Sequence, residues 1–390
     1  MSNGNDQLAY VLINPYTIYK SRTGGVIGRL FTRTALELVA ARMFAPSREL
    51  AEEYASVVVT AKDPDNRRIQ MLIRQYILDN YAPHPQTGQR RRVMMLVFRG
   101  EDAAKKIRAA VGQIEPGRTV AGETIRDTYG DFILTPDNEV RYFEPAVLAA
   151  RSAEEVEGRL RIWAKYSDTD GGLLEGVVRY PKDTKPQQTL VLLKPDNFRF
   201  ASARPGSIVD LISRTGLFII AIKVHHMSVE DAQEFYGPVR EVLPGVYAGI
   251  TGPRAKAALE KEFGFALPDG SEKALGKMIA PLAAEHQFNR IVNFMTGHTS
   301  DAEAAGDPGK MVALVYEGVD AVAKIRNVLG ATDPRKAAPG TIRRELGQDI
   351  MVNAAHASDT AENARREMNI INIRENNLKP LVESFYKRKP

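Results

Sequence analysis

Two stretches 180 residues apart carry one pattern, and this repeat constrains the chain more than any other feature. LAYVLINPYTIY, from Leu8, and QTLVLLKPDNFR, from Gln188, each run an apolar strand into a proline, preceded by Asn14 in one and Lys194 in the other. The likeness continues in order. IGRLFTRTALELVAARMFAPSRELAEEY matches IVDLISRTGLFIIAIKVHHMSVEDAQEFY, each with Arg-Thr closing a helix, then a strand, then a helix opened by Ser47 or Ser228. EDAAKKIRAAVGQIEP matches VDAVAKIRNVLGATDP, and AGETIRD matches APGTIRR. Arg108 and Arg326 lie 218 residues apart, Arg126 and Arg343 217, so spacing is kept along with the letters. Two copies of one domain are the economical explanation, over 1–166 and 189–390, joined by a polar linker bearing Gly and Pro at 167–188. The 390 residues are long enough for two such cores without covalent staples.

Within each copy, short apolar strands such as MMLVFRG and MVALVYEG alternate with amphipathic helices. The rhythm is strand, helix, strand, helix, strand, helix, with a last helix after an irregular loop. It suits an antiparallel α+β sandwich or a parallel doubly wound sheet, and periodicity does not separate the two. The second copy has additions. Residues 241–286 add two expected helices, one starting at Gly252-Pro253 where proline suits a first turn, and 297–309 form a polar loop. The first copy has DPDNRRIQMLIRQYILDNY instead, followed by a basic stretch at 90–92 that reads as a solvated hairpin tip.

Zero cysteines exclude disulfides, thiolate catalysis and a Cys-based zinc site. The net charge of +5 and pI near 9.1 are mild for this length. Scattered basic residues can attract polyanions such as nucleotides, but dedicated nucleic-acid binding is not expected. The longest apolar runs, LVLL and LFIIAI, have the length of core strands, and none approaches the roughly 20 residues of a membrane span. The polar start MSNGNDQ does not read as a signal peptide, and a reducing, cytoplasmic setting is expected.

NAAHASDTAENARRE, at 353–367, holds the most chemically suggestive histidine. Asp359 stands three residues before Glu362 in a capping-box pattern, so a helix should start here, with His356 just before it. The positive end of a helix dipole favours an anion such as phosphate. Alone, such a histidine commonly does no more than satisfy local hydrogen bonds. Two other features are weaker: DTDGG at 168–172 reads as a turn, and His225-His226 as structural.

The second copy resembles the nucleoside diphosphate kinases, through LLKPD, GATDP followed by PGTIR, and NAAHASD, in that order. The likeness covers most of 189–375 outside the insertions, with fourteen residues from Ile342 to His356 as in that family. It implies two tandem ferredoxin-like α/β sandwich domains with antiparallel four-stranded sheets, the second carrying a helical insertion. It also implies transfer of a γ-phosphate from a nucleoside triphosphate to a nucleoside diphosphate through a phosphohistidine. Neutral imidazole is a competent nucleophile near pH 7, and one covalent site can serve donor and acceptor in turn.

By this resemblance His356 is the nucleophile, Glu367 the carboxylate holding its ring, and Ser358 and Tyr236 supporting residues. Lys194, Arg326 and Arg343 match phosphate-binding cations, with Thr332 and Asn353 as neutral donors near phosphate and ribose. No Walker P-loop occurs, so phosphate binding would rest on side chains and on Mg²⁺ carried with the nucleotide, with no metal held by protein ligands. The stacking aromatic is displaced: Gln287 falls at its usual place, leaving Phe288 as the candidate.

The first copy departs from the pattern. Asn14 replaces the lysine, Ile114 replaces the threonine, and LTPDNEVRYFEPAVLAARSAEE contains no histidine, though Arg108, Arg126 and Tyr54 remain. This copy reads as degenerate, kept for assembly or nucleotide sensing. The resemblance also implies a homo-oligomer, in which three tandem chains would make a pseudo-hexamer. The alternatives are a nucleotide-binding scaffold with little turnover, or phosphotransfer from His356 to a protein.

Overall fold

The computed structural model describes residues 6–60, 67–116, 122–298 and 309–387. The first half runs β1 (Asp6–Ile13), α1 (Pro15–Tyr19), α2 (Thr23–Thr34), β2 (Glu37–Phe44), α3 (Arg48–Ser56), α4 (Arg67–Asn80), β3 (Val93–Glu101) and α5 (Ala103–Val111). It continues with α6 (Ile125–Tyr129), β4 (Asp131–Leu134), β5 (Val140–Glu144), β6 (Val147–Ala149) and α7 (Ala153–Lys165). The second half opens with β7 (Gln187–Leu193), a single 3-10 turn, α8 (Arg204–Ser213), β8 (Phe218–His226), α9 (Val229–Phe235), α10 (Gly237–Phe263) and α11 (Ser271–Thr296). It closes with β9 (Lys310–Gly318), α12 (Ala321–Leu329), α13 (Ile342–Leu346), β10 (Ala355–Ala357), α14 (Ala361–Ile370) and α15 (Leu378–Lys387).

The strands form two four-stranded sheets, ordered β2-β3-β1-β6 and β8-β9-β7-β10. Each half therefore puts its first strand beside its third, with its second and last strands at the edges. β1 pairs antiparallel with β3 and β6, and β7 antiparallel with β9 and β10. This rules out the parallel doubly wound alternative: the fold is α+β, with a ferredoxin-like sheet in each half. A smaller hairpin, β4-β5, has no counterpart among the second half's described strands.

The chain divides into two compact units, and the division does not follow the repeat. One unit comprises 1–225 and 311–390; the other is 226–310. In the first unit the two sheets share packing through α2 and α8. These helices approach backbone to backbone: a Cβ built on Gly24 or Gly206 would overlap backbone atoms of the facing helix. The start of the 167–188 segment is pinned, with Ser167 and Asp170 buried and Gly172 N–H donating to the Met43 carbonyl at 2.9 Å. Arg42 donates to the carbonyls of Ser167 (3.0 Å) and Glu375 (2.9 Å), tying this segment to the chain's last turn region. α15 then packs Leu378, Val382 and Tyr386 into the first half's core around Trp163.

The other unit is built on the α10–α11 hairpin, longer than the expected insertion. Pro253 does not start a helix; Pro244 and Pro253 both lie inside α10. Close packing offsets their helix-breaking tendency, since Gly252 sits directly against the Glu272 carbonyl and Gly276 against that of Ala248. Most of the polar loop at 297–309 lies outside the described residues. The basic tip is also not simply solvated: Arg90 pairs with Asp170 at 2.7 Å, and Arg92 lies over the Phe218 ring and donates to the Ile219 carbonyl.

Candidate functional site

β10 is a three-residue edge strand, and its register sets the histidine. Ala355 pairs with Leu193, His356 with Leu192 and Ala357 with Val191. Side chains alternate across a strand, so with Ala355 buried in the core His356 faces the other way, its side chain 21% exposed. The helix start lies further on than the capping pattern suggested. Thr360, rather than Asp359, caps α14 by accepting from Asn363 N–H, while Asp359 accepts from the Asn363 side chain. That hydrogen bond, with Arg326 and His356 nearby, holds the Asp359 carboxyl below its ordinary range.

Folding α14 back over the sheet brings Glu367 to the ring. His356 Nε2 lies 3.0 Å from Glu367 Oε2, and Ser358 Oγ donates to the same oxygen at 2.6 Å. Ser358 is fully buried and Glu367 nearly so. A carboxylate there fixes Nε2 as the protonated nitrogen and places the lone pair on Nδ1.

Lys194 stands at the end of β7. Its Nζ donates to the Met351 carbonyl at 2.7 Å and to Asn353 Oδ1 at 2.9 Å. Burial pushes this ammonium down to about 8, with Arg343 adding to the effect and Asp196 and Asp349 opposing it. Asn353 in turn donates to the carbonyls of Thr332 (3.1 Å) and Ile350 (2.8 Å). Arg343, on α13, braces the backbone as well as bringing charge: Nη1 donates to the Gly330 carbonyl and Nη2 to that of Ala355, each at 3.1 Å. Arg326 is exposed and donates to the Asp359 carbonyl at 3.3 Å, and Thr332 is exposed on the loop following Gly330.

Tyr236 and Phe288 belong to the helical unit. Tyr236 is buried at the junction of α9 and α10. Phe288 is 1% exposed, with the Arg240 guanidinium over its ring at 5.1 Å. Neither face is open to a base, so the stacking expectation for Phe288 is corrected: α11 uses this ring as core.

The same register in the first half holds different chemistry. Leu12 pairs with Leu148 where Leu192 pairs with His356, and Leu148 is buried in the core. The seventh residue of α7 is Arg159, where α14 has Glu367. Asn14, at the lysine position, accepts from Tyr81 at 2.7 Å and donates to Glu144, which also accepts from Tyr76. Arg126 repeats the brace of Arg343, donating to the Gly112 and Val147 carbonyls. A cavity of about 170 Å³ beside it is lined with Glu115, Asp127, Asp131 and Glu144, a set of charges unsuited to a polyphosphate.

A model of the nucleoside diphosphate kinase family matches residues 271–376, which include His356 and Glu367. The nucleoside diphosphate kinase of Chlamydia abortus is 32% identical over 183 residues, 47% of this chain and 90% of that protein. That of Campylobacter hominis is 34% identical over 182 residues, 47% of this chain and 92% of its own length. This chain belongs to the nucleoside diphosphate kinase family. Among solved structures, the Aquifex aeolicus nucleoside diphosphate kinase is 27% identical, covering 50% of this chain and 99% of its own, with a TM-score of 0.31.

Family membership leaves several site residues invisible to sequence reading. Asn197 donates to the carbonyls of Lys194 and Ala354, Arg204 to Asp196 and to the Leu346 carbonyl, and Asp349 accepts from two backbone N–H groups. The sequence signal for these is faint, because each reads as an ordinary turn or helix-start residue.

Proposed function

We propose that the second half transfers a γ-phosphate from a nucleoside triphosphate to a nucleoside diphosphate through phosphorylated His356. The observation that carries this is the ring held 3.0 Å from Glu367, with Ser358 on the same oxygen. His356 Nδ1 attacks the γ-phosphorus, and the bond to the β,γ-bridging oxygen breaks with its electron pair leaving on the diphosphate. A second diphosphate's terminal oxygen then attacks the phosphohistidine and restores the neutral ring. Glu367 supports the charge on the imidazole in between. Lys194, Arg326 and Arg343 supply positive charge, with Asn353 and Thr332 as neutral donors. Mg²⁺ enters as part of the magnesium nucleotide. Donors of this kind suit phosphate oxygens.

The first half is a degenerate copy of the same domain, so each chain runs one active site. Leu148 and Arg159 at the positions of His356 and Glu367 support that reading. The chain works in the cytoplasm as a homo-oligomer, three tandem chains forming a pseudo-hexamer. Among the described residues no helix is long and apolar enough to cross a membrane.

The test incubates protein with γ-³²P-ATP and Mg²⁺ and looks for acid-labile, base-stable label, then adds GDP. Label on wild type, absent from His356→Ala and passed to GTP, is expected. Nucleotide binding without label would replace this reading with that of a nucleotide-binding scaffold.

A further inference from the structure

The His356 strand and the Lys194 loop meet at one backbone carbonyl, that of Ala354. Ala354 has φ of 69°, a left-handed conformation costly for a residue with a Cβ. It sits between Asn353, which holds Lys194, and β10, which carries His356. Two donors fasten its carbonyl: Lys194 N–H at 3.0 Å and Asn197 Nδ2 at 2.6 Å. Asn197 Nδ2 also donates to the Lys194 carbonyl at 3.0 Å, and its Oδ1 accepts from Arg204 at 3.3 Å. Arg204 reaches the Leu346 carbonyl at the end of α13, the helix carrying Arg343. Asn197 is 1% exposed, so water does not replace these bonds.

The first half repeats the joint with other residues. Ala146, before β6, has φ of 59°, and its carbonyl accepts from Asn14 N–H at 3.2 Å and from Thr17 Oγ1 at 2.8 Å. Arg22 donates to the Tyr129 carbonyl at the end of α6 at 3.0 Å. The turn is thus fastened by an amide donor in one half and a hydroxyl donor in the other. Only in the second half does it stand between a cation and a histidine.

We propose that Asn197 is a positioning residue for phosphoryl transfer, fixing the Ala354 turn and with it the placement of His356 relative to Lys194. This rests on the phosphohistidine reading above. Asn197 hydrogen-bonds to the Lys194 and Ala354 carbonyls and to Arg204, so its loss should misplace the reacting groups without removing any of them. A misplacement near 1 Å costs about 10²-fold in rate.

The experiment compares wild type, Asn197→Ala and Asn197→Thr by rapid-quench labelling with γ-³²P-ATP and Mg²⁺. It reads the rate constant for His356 phosphorylation, the fraction of chains labelled at completion, KM for nucleotide and Tm. Asn197→Ala should slow phosphorylation by about 10- to 100-fold, with the labelled fraction and KM within about twofold of wild type. Asn197→Thr should recover most of the rate, as Thr17 fills the role in the first half. A wild-type rate in Asn197→Ala would overturn the proposal. So would a reduced labelled fraction and Tm with an unchanged rate per labelled chain, which is what a merely structural role gives. Wild type that takes no label would overturn the phosphohistidine reading first, and this inference with it.

Discussion

Lys194 has its charge balanced by burial against nearby carboxylates, and the balance predicts a pH profile. The free protein's ammonium is pushed down to about 8, so kcat/KM should fall as pH rises through about 8, when the cation proposed to bind phosphate is lost. Stability should move the other way. Between about 8 and the ordinary lysine value near 10.4 the unfolded chain holds the extra proton, so unfolding free energy rises with pH. Steady-state kinetics and urea titrations across pH 7–10 would check both signs; a flat kcat/KM would remove Lys194 from the phosphate site. Glu367→Gln keeps the shape of the site but loses the charge facing His356 Nε2. It should lower the phosphorylation rate at least tenfold, toward the ~10⁴ seen when a triad's orienting carboxylate is neutralised, with Tm nearly unchanged. Stopped-time labelling at fixed ATP measures it.

At the scale of elements, two packing arrangements carry the fold. α2 and α8 meet at Gly24 and Gly206, where any added Cβ overlaps facing backbone rather than a movable side chain. Gly206→Ala should therefore destabilise by about 1–3 kcal/mol, the usual cost of overpacking, seen as a lower urea midpoint with activity per folded chain retained. α15 is the other. It follows α14, the helix carrying Glu367, yet buries Leu378, Val382 and Tyr386 in the first half's core. Leu378→Ala should cost about 2–5 kcal/mol. The chain's single tryptophan, Trp163, lies in that core and reports the transition by fluorescence. An unchanged midpoint would show that α15 is dispensable to the first half.

At the scale of the whole molecule, the repeat and the proposed single active site lead to a stoichiometry. With Leu148, Arg159 and Asn14 at the positions that His356, Glu367 and Lys194 hold in the second half, labelling should saturate at one phosphate per chain. Calorimetry with a non-hydrolysable nucleotide should likewise give one site per chain; two would assign the first half a binding role. Light scattering should give about three times the 43.1 kDa chain mass, and a monomer would refute the trimeric assembly.

The repeat and the strand–helix rhythm were legible in the letters because they depend on local spacing and residue type, while His356, Glu367, Lys194 and Arg343 were singled out through the resemblance to the kinases. What the letters left open depended on contacts between distant segments. Sheet order chose the antiparallel sandwich, since only strand pairing satisfies the edges of each strand. Phe288 is buried in a helical core, Pro253 sits mid-helix, and the cap is Thr360, because tertiary packing overrides local preference. The Ala354 turn and its Asn197 fastening were out of reach of sequence pattern: a left-handed alanine has no sequence signature and is held by a hydrogen bond from Asn197, 157 residues away.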